Sequence, residues 1–258
     1  MQRIVEALGD IGQATVVEIG PGRAALTELL AKRAGRLIAV ELDRVLAAQL
    51  RMHFTRHSNV EILEADILKV DLGTILGAQP GPLRDLRPTE VFRGRVVGNL
   101  PYYITSDILL RLFRYATRIE TVVVMVQLEV ADRLAAQPGH SEYGLLSATA
   151  QMYARVEKLF KLPATAFDPP PKVESAVLRL SMAPRFDELQ VDECGFIEFL
   201  KLLFAQKRKT LFNNLRNKFE KSEIEAAMKK ARLKPDVRAE AVSLAGMAAL
   251  YRALTVRR

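Results

Sequence analysis

Three acidic residues stand at or near the ends of short apolar runs that are typical of buried β-strands. They are Glu18 in "VVEIGPG", Glu41 in "AVELD" and Asp66 in "LEADIL". In a sheet of parallel strands the carboxyl ends share one edge, and carboxylates there can hydrogen-bond ribose hydroxyls or an adenine amine. An acid beside a glycine turn also suits an ammonium or sulfonium ion. Each acid alone could be a helix cap or a solvent-exposed residue, but the three together predict a pocket for a positively charged nucleoside.

The first of these runs ends in a glycine pair, Gly20 and Gly22, which lets the backbone approach a ligand closely. The dinucleotide fingerprint G-x-G-x-x-G would place its third glycine at Ala25, and a plain strand-to-helix turn explains the pair equally well. The sequence has no P-loop and no basic residue placed to hold a pyrophosphate. S-adenosyl-L-methionine, which joins a nucleoside, a sulfonium and an amino acid, therefore fits the pocket. A nicotinamide-dependent oxidoreductase would share the glycine turn and Glu41 but would leave the next motif unexplained.

That motif is "VVGNLPYYIT", in which Asn99, Leu100, Pro101 and Tyr102 follow an apolar run. The Asn99 side-chain oxygen and the Leu100 carbonyl can accept both hydrogens of an adenine amine, and this stabilises the positive charge that develops when the amine is methylated. Pro101 fixes the turn, and the ring of Tyr102 can stack on a flipped base. Stacking gives the hydroxyl no role, so Tyr102→Phe is expected to be nearly silent. A strand that ends at a proline, with two packed tyrosines, is the alternative.

The elements that must position these residues alternate along the chain. Continuous apolar runs such as "ATVVEIG", "RLIAVEL" and "TVVVMVQ" are separated by helical patterns such as "DRVLAAQLRMHF", in which Asp43 is placed to cap the helix. Continuous apolar runs are typical of parallel strands covered on both faces. The sequence therefore predicts a doubly wound α/β sheet in residues 1–182. Residues 183–258 read as helices only and are predicted to form a second, smaller domain.

The second domain carries most of the excess positive charge. The whole chain of 258 residues has a formal charge of +8, and residues 181–258 contribute 16 Lys and Arg against 10 Asp and Glu. In "FAQKRKTLFNNL" a turn near residues 205–210 would gather Lys207, Arg208 and Lys209 into a phosphate-binding cluster. The charge pattern predicts a polyanionic partner, although a solvated helix face would look the same.

The composition of the sequence argues against disulfides, metal sites and membrane spans. A single cysteine, Cys194, excludes an internal disulfide and the paired-cysteine zinc motifs, and with three histidines no protein metal site is expected. No apolar run approaches the roughly 18–20 residues of a membrane span, and no secretory signal is recognised. We therefore expect a cytoplasmic protein with no membrane partner.

The motifs in this order resemble the ribosomal RNA adenine dimethyltransferase family. The resemblance extends from "VEIGPG", "VELD", "EAD" and "GNLPYYI" through "YGLLSATAQMY" and "AFDPPPKVESAVLRL" to "FAQKRKTLFNNL", which is nearly the whole sequence. It implies a class I methyltransferase (Rossmann-like) fold with a small all-helical C-terminal domain. It also implies two methyl transfers to each of two adjacent adenines near the 3′ end of small-subunit ribosomal RNA.

The same resemblance implies roles for individual residues. The residues implied to contact the methyl donor are Gly20, Glu41, Asp66 and Asn99. Those implied to hold the target amine are Asn99, Leu100, Pro101 and Tyr102, and Phe167 in "AFDPPP" is implied to face the base from the other side. In the family a segment with a Gly-Gln-Asn/His-Phe-Leu motif precedes the first helix and contributes donor contacts, whereas this sequence begins at "MQRIVEAL".

The expected partner is small-subunit ribosomal RNA within an immature small ribosomal subunit, and the protein is expected to act as a monomer. Two alternatives share most of the motifs. One is a ribosome-assembly factor that binds the same RNA without catalysis, and the other is a large-subunit ribosomal RNA adenine methyltransferase that confers drug resistance.

Overall fold

The apolar runs of the sequence form the strands of one sheet in the computed structural model, which describes residues 1–77, 93–166 and 172–255. The strands are β1 (Thr15–Ile19), β2 (Arg36–Glu41), β3 (Val60–Glu64), β4 (Gly94–Asn99), β5 (Ile119–Gln127), β6 (Ala154–Leu162) and β7 (Ser175–Met182). Their order is β3-β2-β1-β4-β5-β7-β6. The first five strands in this order are parallel, and β7 pairs antiparallel with β5.

Helices connect the strands and form most of the C-terminal third of the chain. They are α1 (Gln2–Ala7), α2 (Thr27–Ala31), α3 (Arg44–His53), α4 (Leu72–Gly77), α5 (Thr105–Phe113), α6 (Leu128–Ala135), α7 (Leu145–Tyr153), α8 (Phe186–Leu189), α9 (Glu193–Leu203), α10 (Leu211–Leu215), α11 (Lys221–Lys230) and α12 (Leu244–Thr255). Short 3-10 helices cover Tyr102–Ile104, Ala164–Ala166 and Ala239–Ala241. The Asp43 carboxylate accepts hydrogen bonds from the amides of Val45 and Leu46, which confirms the predicted cap of α3.

Both faces of the sheet are covered, as the continuous apolar runs predict. Val16 and Val17 project to opposite faces and neither is exposed to solvent. Val16 shares a core with residues of α1 and α2. On the other face, α4 packs so closely that a Cβ atom at Gly94 would lie 2.5 Å from Leu76 Cδ2. The doubly wound α/β fold is therefore confirmed.

Strand β6 was not predicted from the sequence. Its residues alternate between charged and apolar, because it lies at the edge of the sheet and exposes Arg155, Glu157 and Lys161 to solvent. An edge strand with one solvated side lacks the continuous apolar run by which the buried strands were recognised.

The chain divides into two compact units. One comprises Met1–Ala131 and Arg155–Met182 and contains the sheet, whereas the other comprises Asp132–Ala154 and Ala183–Arg258 and is helical where it is described. The helical unit therefore includes α7 as well as the C-terminal helices. The division into domains at residues 182 and 183 stays a prediction from the sequence.

Candidate active site

The register of the parallel strands places the predicted site residues at one edge and on one face of the sheet. Glu18 pairs with Ala39 of β2 and with Val97 of β4, so two residues further along each neighbouring strand lie Glu41 and Asn99. Gly20 follows β1 between these two strand ends, and its amide donates to the Val40 carbonyl. A Cβ atom at Gly20 would lie 3.8 Å from the Asn99 carbonyl oxygen. An acid, a bare backbone segment and an amide are thus adjacent at the carboxyl edge of the sheet.

The glycine turn and Glu41 hold each other in place. Gly20 and Gly22 have φ angles of +65° and +55°, a region that glycine adopts without strain. The Gly22 amide donates to Oε2 of Glu41 at 3.1 Å, and the Asp43 amide donates to Oε1 at 2.9 Å. Each carboxylate oxygen has two lone pairs, so Glu41 keeps acceptor capacity for a ligand while its orientation is fixed.

Glu18 is buried in a way that the sequence did not reveal. Its side chain is 1% exposed, and its Oε2 atom has no hydrogen-bond partner among the described residues. Burial raises the pKa of Glu18 to about 7, the Thr27 hydroxyl opposes this rise, and the Glu41 carboxylate adds to it. A buried carboxylate oxygen without a partner is costly, so a cationic ligand group that reaches Glu18 Oε2 would be bound favourably.

This burial makes folding stability depend on pH. The folded state binds the Glu18 proton more tightly than the unfolded chain, so the resulting stabilisation is complete below pH 4.5 and is lost as the pH rises through about 7. Glu18→Gln stays neutral, and we expect its free energy of unfolding to gain about 3 kcal/mol relative to the parent between pH 4.5 and pH 8. Urea unfolding at several pH values measures this difference. Glu6→Gln, at an exposed position, is the control. If the free energy of unfolding of Glu18→Gln depends on pH as steeply as that of the parent, Glu18 is not the group responsible.

Asp66 lies two residues beyond β3, next to the end of β2. The Ala65 amide donates to the Glu41 carbonyl at 2.9 Å, which brings the two strand ends together. Asp66 Oδ1 accepts from the Leu68 amide at 2.9 Å, and Lys69 Nζ lies 3.8 Å from Oδ2. These contacts are those of a turn cap. Asp66 also directly follows Ala65, whose amide is bonded to Glu41, and its contact with adenine stays a prediction.

The turn after β4 is tied to its surroundings at several points. Asn99 is exposed and Leu100 is buried, and the Leu100 amide donates to the Met125 carbonyl of β5 at 3.1 Å. Pro101 has a φ of −58°, and its carbonyl accepts from the Thr105 hydroxyl at 3.0 Å. The Tyr102 hydroxyl lies 3.0 Å from the Ser175 hydroxyl. The turn is thus a supported structure with an exposed amide at its start.

The residue before Asn99 is a glycine, Gly98, for a steric reason. A Cβ atom at this position would lie 2.5 Å from the Ile19 carbonyl oxygen and 3.0 Å from Ile19 Cβ. Real Cβ atoms do not approach backbone so closely, so β1 and β4 can come together at their carboxyl ends only because residue 98 has no side chain. The sequence does not indicate this role for Gly98, because Ile19 is on another strand.

Phe167 lies outside the described residues. In the helical unit, α9 ends at Leu203 and α10 begins at Leu211, which confirms the predicted turn near residues 205–210. Lys207, Arg208 and Lys209 are all exposed in this turn, and Lys207 Nζ donates to the Ser141 carbonyl at 2.7 Å. The arrangement concentrates positive charge on a short exposed segment.

The described ranges contain neither a metal-binding cluster nor a membrane-spanning helix. No group of three or more His, Cys, Asp or Glu residues within them is arranged to hold a metal ion. No helix within the same ranges is both long enough and apolar enough to cross a bilayer.

The chain matches one protein family over almost its whole length. The model of the family described as ribosomal RNA adenine dimethylase matches residues 1–255. The protein named ribosomal RNA small subunit methyltransferase A from Koribacter versatilis is 64% identical over 252 residues, which cover 98% of this chain and 88% of the relative. Its namesake from Acidobacterium capsulatum is 56% identical over 98% of this chain and 86% of the relative.

Two solved structures are similar over almost the whole chain. The 23S rRNA methyltransferase ErmE has a TM-score of 0.71 and 26% identity, with 98% of this chain and 95% of that chain covered. A dimethyladenosine transferase from Plasmodium falciparum has a TM-score of 0.75 and 22% identity, with 96% of this chain and 92% of that chain covered. These likenesses show the class I methyltransferase fold.

Proposed function

Because this chain belongs to the ribosomal RNA adenine dimethylase family, we propose that it dimethylates the exocyclic amines of two adjacent adenines near the 3′ end of small-subunit ribosomal RNA, with S-adenosyl-L-methionine as the methyl donor. The observation that carries the proposal is the meeting of Glu41, Gly20 and Asn99 at one edge of the sheet. A donor pocket and an acceptor for the amine would lie side by side there, as a direct transfer requires.

The donor pocket is assigned from the acids and the glycine turn. Glu41, oriented by the Gly22 and Asp43 amides, would accept the ribose hydroxyls. Asp66 would accept from the adenine amine, and Glu18 would face the cationic part of the donor. The unpartnered Glu18 Oε2 atom and the unobstructed backbone at Gly20 and Gly22 fit a ligand of this kind. No residue is assigned to a metal.

The turn after β4 is assigned to the acceptor. When bound, the donor supplies an electrophilic methyl group, which the amine nitrogen takes as the carbon–sulfur bond breaks and its electron pair goes to sulfur. The Asn99 side-chain oxygen and the Leu100 carbonyl would accept the two amine hydrogens and stabilise the charge that grows on nitrogen. The Tyr102 ring would stack on the flipped base, and Phe167 would face it from the other side. The methylated nitrogen then loses a proton to water.

The proposed setting is an immature small ribosomal subunit in the cytoplasm, on which the protein acts as a monomer. The test uses tritium-labelled donor with small subunits from a strain that lacks this modification and, in parallel, with large subunits. We expect label in dimethyladenosine of the small-subunit RNA only. Label in the large subunit would support the drug-resistance alternative, and RNA binding without label would support the assembly factor without catalysis.

The basic turn of the helical unit is assigned to the RNA backbone. Replacing Lys207, Arg208 and Lys209 with Ala should weaken RNA binding and reduce the slope of log affinity against log salt by roughly 1–3, because each phosphate contact releases counterions. Binding to small-subunit RNA is measured by filter retention from 50 to 300 mM salt, and donor affinity should not change.

A second triple variant controls for net charge. Lys221, Lys229 and Lys230 on α11 are also exposed, so their replacement by Ala removes the same charge from a different surface. An equal loss of slope in both variants, or no loss in the first, would show that the turn at residues 207–209 has no particular role in binding.

A further inference from the structure

The two tyrosines of the "NLPYY" motif have different surroundings. Tyr103 is 81% exposed, whereas Tyr102 is half-buried and forms the hydrogen bond between its hydroxyl and that of Ser175 at 3.0 Å. The sequence motif indicated no role for the Tyr102 hydroxyl. The structure gives it a partner, and the expectation that Tyr102→Phe is nearly silent changes accordingly.

Ser175 is a rigid partner. It is the first residue of β7, it has no solvent exposure, and it lies opposite Gln127 in the antiparallel pairing with β5. A buried hydroxyl cannot exchange its protein partner for water, so the bond to Tyr102 is the more valuable to it.

Strand β5, with which β7 is paired, also holds the beginning of the "NLPYY" motif. The Leu100 amide donates to the Met125 carbonyl of β5, and β5 is paired with β7 along its length. The main chain at Leu100 and the side chain of Tyr102 are therefore fixed to two hydrogen-bonded strands. A tyrosine that must present its ring to a base at a defined angle loses less freedom on binding when its outer end is already held.

We propose that Ser175 is a positioning residue that holds the Tyr102 ring at the acceptor site through the bond between the two hydroxyls. The proposal rests on the proposed function, in which Tyr102 stacks on the target adenine. In this role Ser175 acts through the Tyr102 ring and not through a contact of its own with substrate or donor. Its effect should appear in the turnover number, because a ring free to tilt presents the bound base to the methyl group less often.

The test compares Ser175→Ala, Tyr102→Phe and the double variant by kcat, KM for small subunits, donor affinity and melting temperature. Each single variant should lower kcat by roughly 3- to 10-fold, the range expected for one lost neutral hydrogen bond. The double variant should be no worse than either single variant, since both remove the same bond. Donor affinity should stay at the parent value.

Further variants separate positioning from packing. Ser175→Cys keeps a group at the position of the hydroxyl but is a weak hydrogen-bonding partner, so its kcat should fall as in Ser175→Ala. Ser147→Ala removes another fully buried serine hydroxyl, in the helical unit, and should change the melting temperature but not kcat. If Ser175→Ala does not fold, Tyr102→Phe and Ser175→Cys still test the bond.

Two results would overturn the inference. One is a parent kcat in Tyr102→Phe and Ser175→Cys, and the other is a double variant whose loss is the product of the single losses. If the parent protein itself transfers no label to adenine, the proposed function fails instead. The two failures are therefore distinguishable in one set of measurements.

Discussion

Asn99→Ala should lower the rate of methyl transfer to small-subunit adenine by roughly 100-fold or more, by analogy with the loss of a single oxyanion-hole donor. The side chain would accept one of the two amine hydrogens, and the charge on nitrogen grows towards the transition state. The loss should therefore fall mainly on turnover rather than on RNA affinity. Single-turnover kinetics with labelled donor and saturating small subunits measures this rate directly.

Asn99→Asp is the informative companion, because it keeps an acceptor oxygen at the same reach. It should retain more activity than Asn99→Ala. Melting temperatures should be close to the parent value in both, since Asn99 is exposed at the end of its strand. An Asn99→Ala enzyme that works at the parent rate would mean that the motif only terminates β4, and the account of its chemistry would be wrong.

The sequence could indicate the acidic residues and the Asn99 amide of the candidate site because of a property of parallel sheets. Successive strands of the βαβ pattern end at the same edge, so polar residues at the ends of apolar runs are brought together by the topology alone. Glu18, Glu41 and Asn99 lie on one face of the sheet for this reason. The composition of each run was sufficient, and no long-range contact had to be known.

What the sequence did not indicate depends on contacts between distant positions. Tyr102 and Ser175 are 73 residues apart in the sequence. Nothing in the residues around either one indicates that the two hydroxyls are bonded. Gly98 is needed because of Ile19, which lies on another strand. The burial of Glu18 likewise results from packing around β1. At a solvated strand end the same residue would be an ordinary surface acid, so the sequence alone does not distinguish the two cases.

The pocket shows how these local and distant effects combine at Glu41. The sequence supplies an acid at the end of a strand, but the fold decides what its two oxygens do. Because one accepts from Gly22 and the other from Asp43, the carboxylate connects the turn after β1 to the start of α3. Removing it should therefore affect both the ligand and the loop that receives it.

Glu41→Ala should accordingly weaken binding of S-adenosyl-L-methionine by roughly 10- to 150-fold, which corresponds to about 1.5–3 kcal/mol for the loss of hydrogen bonds to a charged group. Isothermal titration calorimetry with the donor measures this change. Glu64 pairs with Glu41 in the register of β2 and β3 but is exposed and bound to Arg51. Glu64→Ala therefore removes an acid from the neighbouring strand end without opening the pocket, and its donor affinity should equal that of the parent. Equal donor affinity in Glu41→Ala and the parent would exclude Glu41 from the pocket, whereas equal losses in Glu41→Ala and Glu64→Ala would reduce its role to general charge at this edge of the sheet.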